Sequence, residues 1–246
     1  AALVGMILGI IFALATVTFK ANQLLVGLAF AFMGNGISGL IGYPVTSAPT
    51  LASFPAIRIP LLADIPIVGE ALFNHHLLVY IAYFVLPIVA YRIIFRTRHG
   101  IAIRAVGDDP AAADASGISV HNIRFLYTTF AGVMFAIAGA YMTLALTKTW
   151  AEGIVAGQGW IALTLVFFSR LNPITLVFGA LLFGGATSLS FIGQIQEWPI
   201  NSFVLGMAPY IVTLLLILFT NIKLRRVKPD EAGTIPAFLT LPYYRE

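Results

Sequence analysis

Long apolar runs dominate this sequence and constrain its fold more than any other feature. A helix needs ~20 mostly apolar residues to cross a hydrocarbon core of ~30 Å. Lipid-exposed backbone must satisfy its own hydrogen bonds, so such runs form helices. The sequence therefore predicts an all-α fold, a polytopic transmembrane helical bundle of about seven spans in a single domain over residues 1–246. The predicted spans are Ala1–Thr18, Asn22–Ile41, Leu77–Phe95, Phe125–Thr147, Ile154–Ser169, Ile174–Ile192 and Phe203–Ile222.

Composition indicates that lipid is the solvent for most of the surface. Hydrophobic residues make up 59% of the 246 residues and charged residues only 10%. The net charge of +4 does not indicate a nucleic-acid partner, because the basic residues lie in short stretches between apolar runs. Since the chain begins inside an apolar run and without Met, we expect further helices to precede it.

The basic residues predict the orientation of the bundle. Alternating through the spans from Lys20 places twelve of the fourteen Lys and Arg on one face and leaves only Arg58 and Lys148 opposite. The positive-inside rule makes that face cytoplasmic. It predicts a long external loop over 42–76, a cytoplasmic loop over 96–124 and a cytoplasmic C-terminal tail over 223–246. Five prolines in the external loop favour an ordered cap or a re-entrant element. Segment Phe191–Ser202 is predicted to form a second external loop.

The familiar motifs of ATP binding and catalysis are missing. A Gly-Lys pair is absent, so no phosphate loop of the G-x-x-x-x-G-K type exists and ATP must be handled by a partner. Neither H-E-x-x-H nor G-x-S-x-G occurs, and the four His provide no metal or hydrolase constellation. The His75–His76 pair fits an interfacial position better than a metal site. We therefore expect no enzyme activity, no metal and no cofactor in this chain.

The spans carry neutral polar and aromatic side chains and no charged residue away from their ends. An ion-coupled carrier usually places an ionisable group near the midplane, so this pattern argues against one. It suits an uncharged, hydroxyl-rich or ring-shaped solute, although interhelical packing explains any single residue as well. Gly157 and Gly159 precede the shortest span, which fits either an interrupted helix at a permeation site or a plain loop. The candidate path residues are Asn35, Tyr141, Gln158, Trp160, Thr164 and Phe183.

The cytoplasmic loop carries the most specific pattern. We expect Asp108 to cap a short helix that Asp109 and Pro110 open, that runs through 111–116 and that Gly117 ends. A capped, Ala-rich helix between two spans is more typical of a surface that binds a partner than of a solvated linker.

This loop resembles the permease subunits of bacterial ABC importers for simple sugars, nucleosides and branched-chain amino acids. In that family a segment R-T-x-x-G-x-x-x-R-A-V-G-E/D-N/D-P-x-A-A-x-x-x-G-I forms the coupling helix that docks into the ATPase. The resemblance extends to Ile59–Gly69, Gly157–Leu163, Asn172–Gly184 and Ala208–Thr213, and is greatest for the nucleoside and simple-sugar branch. Ser169, Arg170 and Leu171 depart from the usual Gly-Lys-Trp-like residues. The coupling residues it implies are Arg96, Gly100, Arg104, Gly107, Asp108, Asp109, Pro110, Ala113, Asp114 and Gly117.

The resemblance implies a transporter subunit in the bacterial plasma membrane. Its partners would be a second permease subunit, ATP-binding subunits that hold ATP and Mg²⁺, and an external solute-binding protein that sets most of the specificity. Transport of a nucleoside or simple sugar would proceed by alternating access. An ATP-independent channel or facilitator would explain the neutral spans but not the capped loop helix. A membrane-embedded enzyme would need a catalytic cluster that the sequence lacks.

Overall fold

The computed structural model describes residues 1–46, 55–60, 63, 68–155, 157–224, 236, 238, 239 and 241–243. The basic tail residues Arg225, Arg226, Lys228 and Arg245 lie outside the described residues, as do 61–62 and 64–67 of the Ile59–Gly69 resemblance. The α-helices are α1 (Ala2–Ala13), α2 (Gln23–Gly42), α3 (Val68–Phe73), α4 (Leu77–Tyr80), α5 (Leu86–Arg96), α6 (Arg98–Asp108), α7 (Pro110–Ala115), α8 (Val120–Tyr141), α9 (Gln158–Phe168), α10 (Pro173–Ile195) and α11 (Ser202–Leu224).

Apolar helices account for most of the fold, which is all-α and polytopic as predicted. Among the described residues, four helical segments are long and apolar enough to cross a membrane, namely Gln23–Val45, Leu77–Arg96, Val120–Leu146 and Pro173–Ile195. Three shorter apolar helices, Ala2–Thr18, Gln158–Phe168 and Ser202–Leu215, coincide with the first, fifth and seventh predicted spans. The total of seven spans therefore stays a prediction, as does the orientation of the bundle.

Three of the helices contain a π-helical turn that hydropathy does not predict. Leu14–Thr18 extends α1, Ile81–Val85 joins α4 to α5, and Met142–Leu146 extends α8. A π-turn inserts one residue into the helical repeat and leaves the apolar run uninterrupted, so composition does not reveal it.

The predicted external loop contains a short antiparallel ladder. Strand β1 (Ala56–Arg58) pairs with β2 (Asn74–His76), with Ile57 opposite His75. The Tyr80 hydroxyl donates to the Ile57 carbonyl over 2.8 Å and accepts from the His75 N–H over 3.1 Å. Tyr80 thus ties the ladder to α4. These strands are a small departure from the purely helical expectation.

Two compact units make up the chain. The first comprises Ala1–Val85, Ile94–Ala156 and Pro236–Glu246, and the second comprises Leu86–Ile93 and Gly157–Ile235. In the first unit α1 packs closely along α8. A Cβ added at Gly5 would lie 2.5 Å from the Gly132 carbonyl oxygen, and one added at Gly9 would lie 2.7 Å from the Thr129 carbonyl oxygen. Small residues permit this approach of the two backbones.

In the second unit α9, α10 and α11 pack together. Helix α9 ends at Phe168, before Pro173, and Asn172 caps α10 by accepting from the Ile174 N–H over 3.0 Å. Between them Arg170 and Leu171 adopt positive φ angles of 55° and 60°. They are two of the three residues that depart from the family pattern. The predicted loop Phe191–Ser202 is shorter than expected, because α10 continues to Ile195.

Candidate coupling site

The predicted cytoplasmic loop is mostly helical. Helix α6 fills its first half, and Thr97 caps it by accepting from the Gly100 N–H over 3.0 Å. Sequence analysis did not predict α6, because two glycines and three basic residues mask its apolar positions. The pattern that could have predicted α6 is an N-cap at Thr97 followed by the apolar residues Ile101 and Ile103.

Asp109, not Asp108, caps α7. Its Oδ1 accepts from the N–H groups of Ala111 and Ala112, each over 3.0 Å, and Pro110 occupies the first helical position. The prediction that Asp108 is the cap was wrong. Asp108 is the last residue of α6, where its backbone is helical and its side chain is exposed.

The end of α7 follows the prediction. Gly117 has a φ of 82°, which a residue without a Cβ adopts at low cost. The N–H of Ile118 then donates to the Ala113 carbonyl over 3.0 Å and turns the chain toward α8. Helix α7 is therefore held at both ends by local hydrogen bonds.

One face of α7 is buried against its neighbours in the chain. Val106 of α6, Ala113 of α7 and Val120 of α8 form an apolar cluster in which each residue is at most 3% exposed. Pro110 is also fully buried. The opposite face carries the exposed residues Asp108, Asp109, Ala111, Ala112 and Ala115. We call α6, α7 and the turns between them the coupling hairpin.

The remaining predicted coupling residues lie within this hairpin or just before it. Arg96 ends α5 and is exposed, Gly100 is buried in the first turn of α6, and the Arg104 guanidinium lies 5.5 Å from the centroid of the Phe95 ring. Gly107 packs against Pro236: a Cβ at Gly107 would lie 3.1 Å from the Pro236 Cβ. Asp114 accepts from the Tyr243 hydroxyl over 3.1 Å.

The C-terminal tail contacts the coupling hairpin, and sequence analysis did not predict this. The Phe238 N–H donates to the Gly107 carbonyl over 3.1 Å, and Arg124 Nη1 donates to the Leu241 carbonyl over 2.9 Å. A cavity of about 230 Å³ lies beside these contacts, lined by Lys20, His121, Arg124, Asp114 and Tyr243 among others. The tail residues are more than a hundred residues away in sequence from the residues they contact, so no local sequence pattern predicts these contacts.

The candidate path residues are divided between the two units, and a common path through them stays a prediction. Asn35 and Tyr141 belong to the first unit, whereas Gln158, Trp160, Thr164 and Phe183 belong to the second. The Tyr141 hydroxyl lies 3.2 Å from His76 Nδ1, a contact that the sequence did not reveal. The Thr164 hydroxyl donates to the Trp160 carbonyl over 2.9 Å, within its own helix.

Two further observations concern alternatives that the sequence left open. Helix α9 begins only at Gln158, and residues 152–155 form a turn, which favours a plain loop before the short helix. Within the described part of the chain, no group of three or more His, Cys, Asp or Glu residues is placed to hold a metal ion.

Comparison with known proteins agrees with the resemblance. The family model for the permease component of branched-chain amino acid transport systems matches residues 1–220. A nucleoside ABC transporter permease of Lactococcus lactis is 32% identical over 88% of this chain and 70% of its own length. A guanosine ABC transporter permease of Bacillus subtilis is 32% identical over 87% of this chain and 69% of its own length.

A permease provisionally named for a glucose ABC transporter of Haloferax volcanii is 28% identical over 98% of this chain and 78% of its own length. No solved structure matches the chain significantly. The match of the family model to most of the chain, together with the apolar helices, shows that the chain belongs to the branched-chain amino acid transport system permease family and is a multi-pass permease subunit of an ABC transporter.

Proposed function

We propose that this permease forms the path for a nucleoside or simple sugar in an ATP-driven importer, and that the ATP-binding subunit grips its coupling hairpin from the cytoplasmic side. The observation that carries the coupling role is the two-sided construction of α7. One face rests on the cluster of Val106, Ala113 and Val120, and the other face is exposed. A helix with one face packed against its own chain and the other face exposed can bind a partner and transmit the partner's movement.

The hairpin is connected to a long helix that can carry this push onward. Helix α7 has six residues, too few to be stable alone. It is held by the Asp109 cap and by the cluster, and Val120 in that cluster is the first residue of α8. Displacement of α7 would therefore move the start of α8. Closure of the ATP-binding subunits would in this way reorient the spans between outward-open and inward-open states.

The rest of the proposed assembly follows from the family. A second permease subunit completes the path, the ATP-binding subunits hold ATP and Mg²⁺, and an external solute-binding protein delivers the solute. The C-terminus lies in the cytoplasm, and the chain itself has no enzymatic role. The two 32% identical relatives, a nucleoside permease and a guanosine permease, support a nucleoside over a sugar as the solute.

Transport by the reconstituted complex tests the function. The permease, its ATP-binding subunit and its solute-binding protein are placed in liposomes and offered nucleosides, simple sugars and branched-chain amino acids. We expect nucleoside uptake that stops when ATP is withheld. Undiminished uptake after removal of the ATP-binding subunit would instead support a facilitator.

A substitution on the exposed face tests the coupling role. Ala112→Arg places a long charged side chain on the outer face of α7 without touching the buried cluster. We expect uptake per ATP hydrolysed to fall by roughly tenfold, the effect of losing about 1.4 kcal/mol of docking free energy. Ala151→Arg, at an exposed position outside the coupling hairpin, is the control for adding an arginine. Equal coupling in both variants would refute the role of the hairpin.

A further inference from the structure

The described residues of the C-terminal tail contact both helices of the coupling hairpin and the start of α8. We call Pro236, Phe238, Leu239, Leu241, Pro242 and Tyr243 the tail strap. It reaches the end of α6, the body of α7 and the first turns of α8 through separate contacts. The contacts occur within the first compact unit.

The first contact is at the end of α6. The Gly107 carbonyl accepts from the Phe238 N–H over 3.1 Å. Pro236 occupies the space beside Gly107, where an added Cβ would approach its Cβ to 3.1 Å and its Cγ to 3.4 Å. Alanine would favour the helix by about 1 kcal/mol over glycine at such a position. Glycine here instead leaves room for the strap.

The second contact is at α7 and the third is at α8. The ring of Tyr243 packs on the apolar cluster that α6, α7 and α8 share, and its hydroxyl donates to Asp114 Oδ2 over 3.1 Å. Asp114 lies next to the buried Ala113, so this bond holds the last turn of α7. Arg124 in α8 donates from Nη1 to the Leu241 carbonyl over 2.9 Å. A single stretch of tail thus joins the three helices.

We propose that the tail strap positions α7, so that a push on α7 moves α8 rather than bending the hairpin. This inference rests on the proposed coupling role of the hairpin. Helix α7 alone has little more than one turn, and the strap adds hydrogen bonds and a partly buried ring to the cluster that holds it. Tyr243 is the positioning residue, because it combines the ring contact with the bond to Asp114.

Removing the Tyr243 hydroxyl tests the strap. In the complete reconstituted transporter, Tyr243→Phe keeps the ring and removes the hydroxyl that donates to Asp114, whereas Tyr243→Ala removes both the ring and the hydroxyl. We expect uptake per ATP hydrolysed to fall about fivefold in Tyr243→Phe and further in Tyr243→Ala. ATP hydrolysis, the amount of ATP-binding subunit retained and the solute concentration for half-maximal uptake stay at wild-type values. Tyr43→Phe, at a side chain that is 81% exposed, is the control for the chemical change.

A double substitution identifies the bond itself. Asp114→Ala should lower the coupling ratio at least as much as Tyr243→Phe does, and adding Tyr243→Phe to Asp114→Ala should cause less than the additive fall, because the bond between them is then already lost. Additive effects would overturn the assignment of Asp114 as the acceptor that matters. A parallel fall of uptake and ATP hydrolysis in Tyr243→Phe would show a general structural defect and would overturn the positioning role.

The Ala112→Arg variant separates this inference from the proposed function. If Ala112→Arg uncouples the transporter while both Tyr243 variants behave as wild type, the hairpin docks to its partner but the strap does not position it. If Ala112→Arg is also silent, the coupling role fails and the strap inference fails with it.

Discussion

Asp108 and Asp109 are neighbouring carboxylates whose backbone conformations give them different tasks. Asp109 is extended, with φ of −145° and ψ of 92°, so its side chain turns back to the first free N–H groups of α7. Pro110 has no N–H, and the acceptor therefore meets Ala111 and Ala112. Asp108 is still part of α6, and its carboxylate points to solvent.

Substitutions at the two carboxylates should therefore differ. Asp109→Ala removes the cap and should destabilise α7 by about 1 kcal/mol, whereas Asp109→Asn keeps an acceptor oxygen and should be nearly neutral. Asp108→Ala is the matched control. Hydrogen exchange of the peptide that contains α7, measured by mass spectrometry, should be faster in Asp109→Ala only. Equal acceleration in the Asp108 variant would contradict the assignment of the cap.

The residues of the hairpin show how far a sequence can predict such a site. Pro110 and Gly117 were recognisable, because each residue type has one strong positional preference at a helix end. The sequence Asp-Asp-Pro fits a cap at either aspartate, and only the backbone decides between them. The bond from Tyr243 to Asp114 spans 129 residues, and no local pattern carries information on it.

At the scale of elements, hydropathy predicted the apolar helices and little else. The runs that give the long helices are fixed by the thickness of the membrane, so their existence follows from composition. Helix α6 was missed because it is polar, and the strands β1 and β2 were missed because they have only three residues each. The neighbouring spans Ile154–Ser169 and Ile174–Ile192 were predicted, but the first of these helices ends at Phe168 and the second is capped by Asn172.

A proline inside α11 removes one helical hydrogen bond, and a side chain of α10 replaces it. Pro209 has no N–H, so the Leu205 carbonyl one turn earlier loses its helical partner. The hydroxyl of Ser190 in α10 donates to this carbonyl over 2.6 Å, and the group is buried. The Pro209 carbonyl in turn accepts from the Thr213 hydroxyl over 2.8 Å. In an apolar environment an unpaired carbonyl is costly, so Ser190 stabilises the packing of α10 on α11.

Removal of the Ser190 hydroxyl should weaken that packing. Ser190→Ala leaves the Leu205 carbonyl buried without its donor and should lower the free energy of unfolding by about 1–2 kcal/mol. Ser188→Ala, two residues earlier on the exposed side of α10, removes the same group as a control. Unfolding of the purified subunit in mixed micelles by added SDS measures both. Equal stability of the Ser190 and Ser188 variants would show that the bond from Ser190 to the Leu205 carbonyl does not stabilise the packing.

At the scale of the whole molecule, contacts in the first unit form a continuous route from the coupling hairpin into the membrane. Val120 joins the apolar cluster to α8, and α8 lies against α1 through Gly132 and Ala136. The two backbones are close enough that side chains do not separate them, so α1 and α8 should move together. Because the two helices are antiparallel, their π-turns lie at opposite ends of the pair, Leu14–Thr18 near the start of α8 and Met142–Leu146 at its far end.

Spacing α1 from α8 should interrupt this route. A Cβ at Gly132 would lie 2.6 Å from the Gly5 carbonyl oxygen and 2.8 Å from the Gly9 Cα, both backbone atoms of α1, so Gly132→Val must push the helices apart. We expect a loss of about 1–3 kcal/mol in the free energy of unfolding, with a fall in ATP-driven uptake.

Gly139→Val is the matched control, because nothing lies within 4 Å of a Cβ at Gly139 on the same helix. Both substitutions change the helix propensity alike, so the difference between the two variants isolates the contact with α1. SDS-induced unfolding and uptake by reconstituted transporter measure that difference. If the two valine variants unfold at the same SDS concentration and transport equally, α1 and α8 do not act as one packed pair.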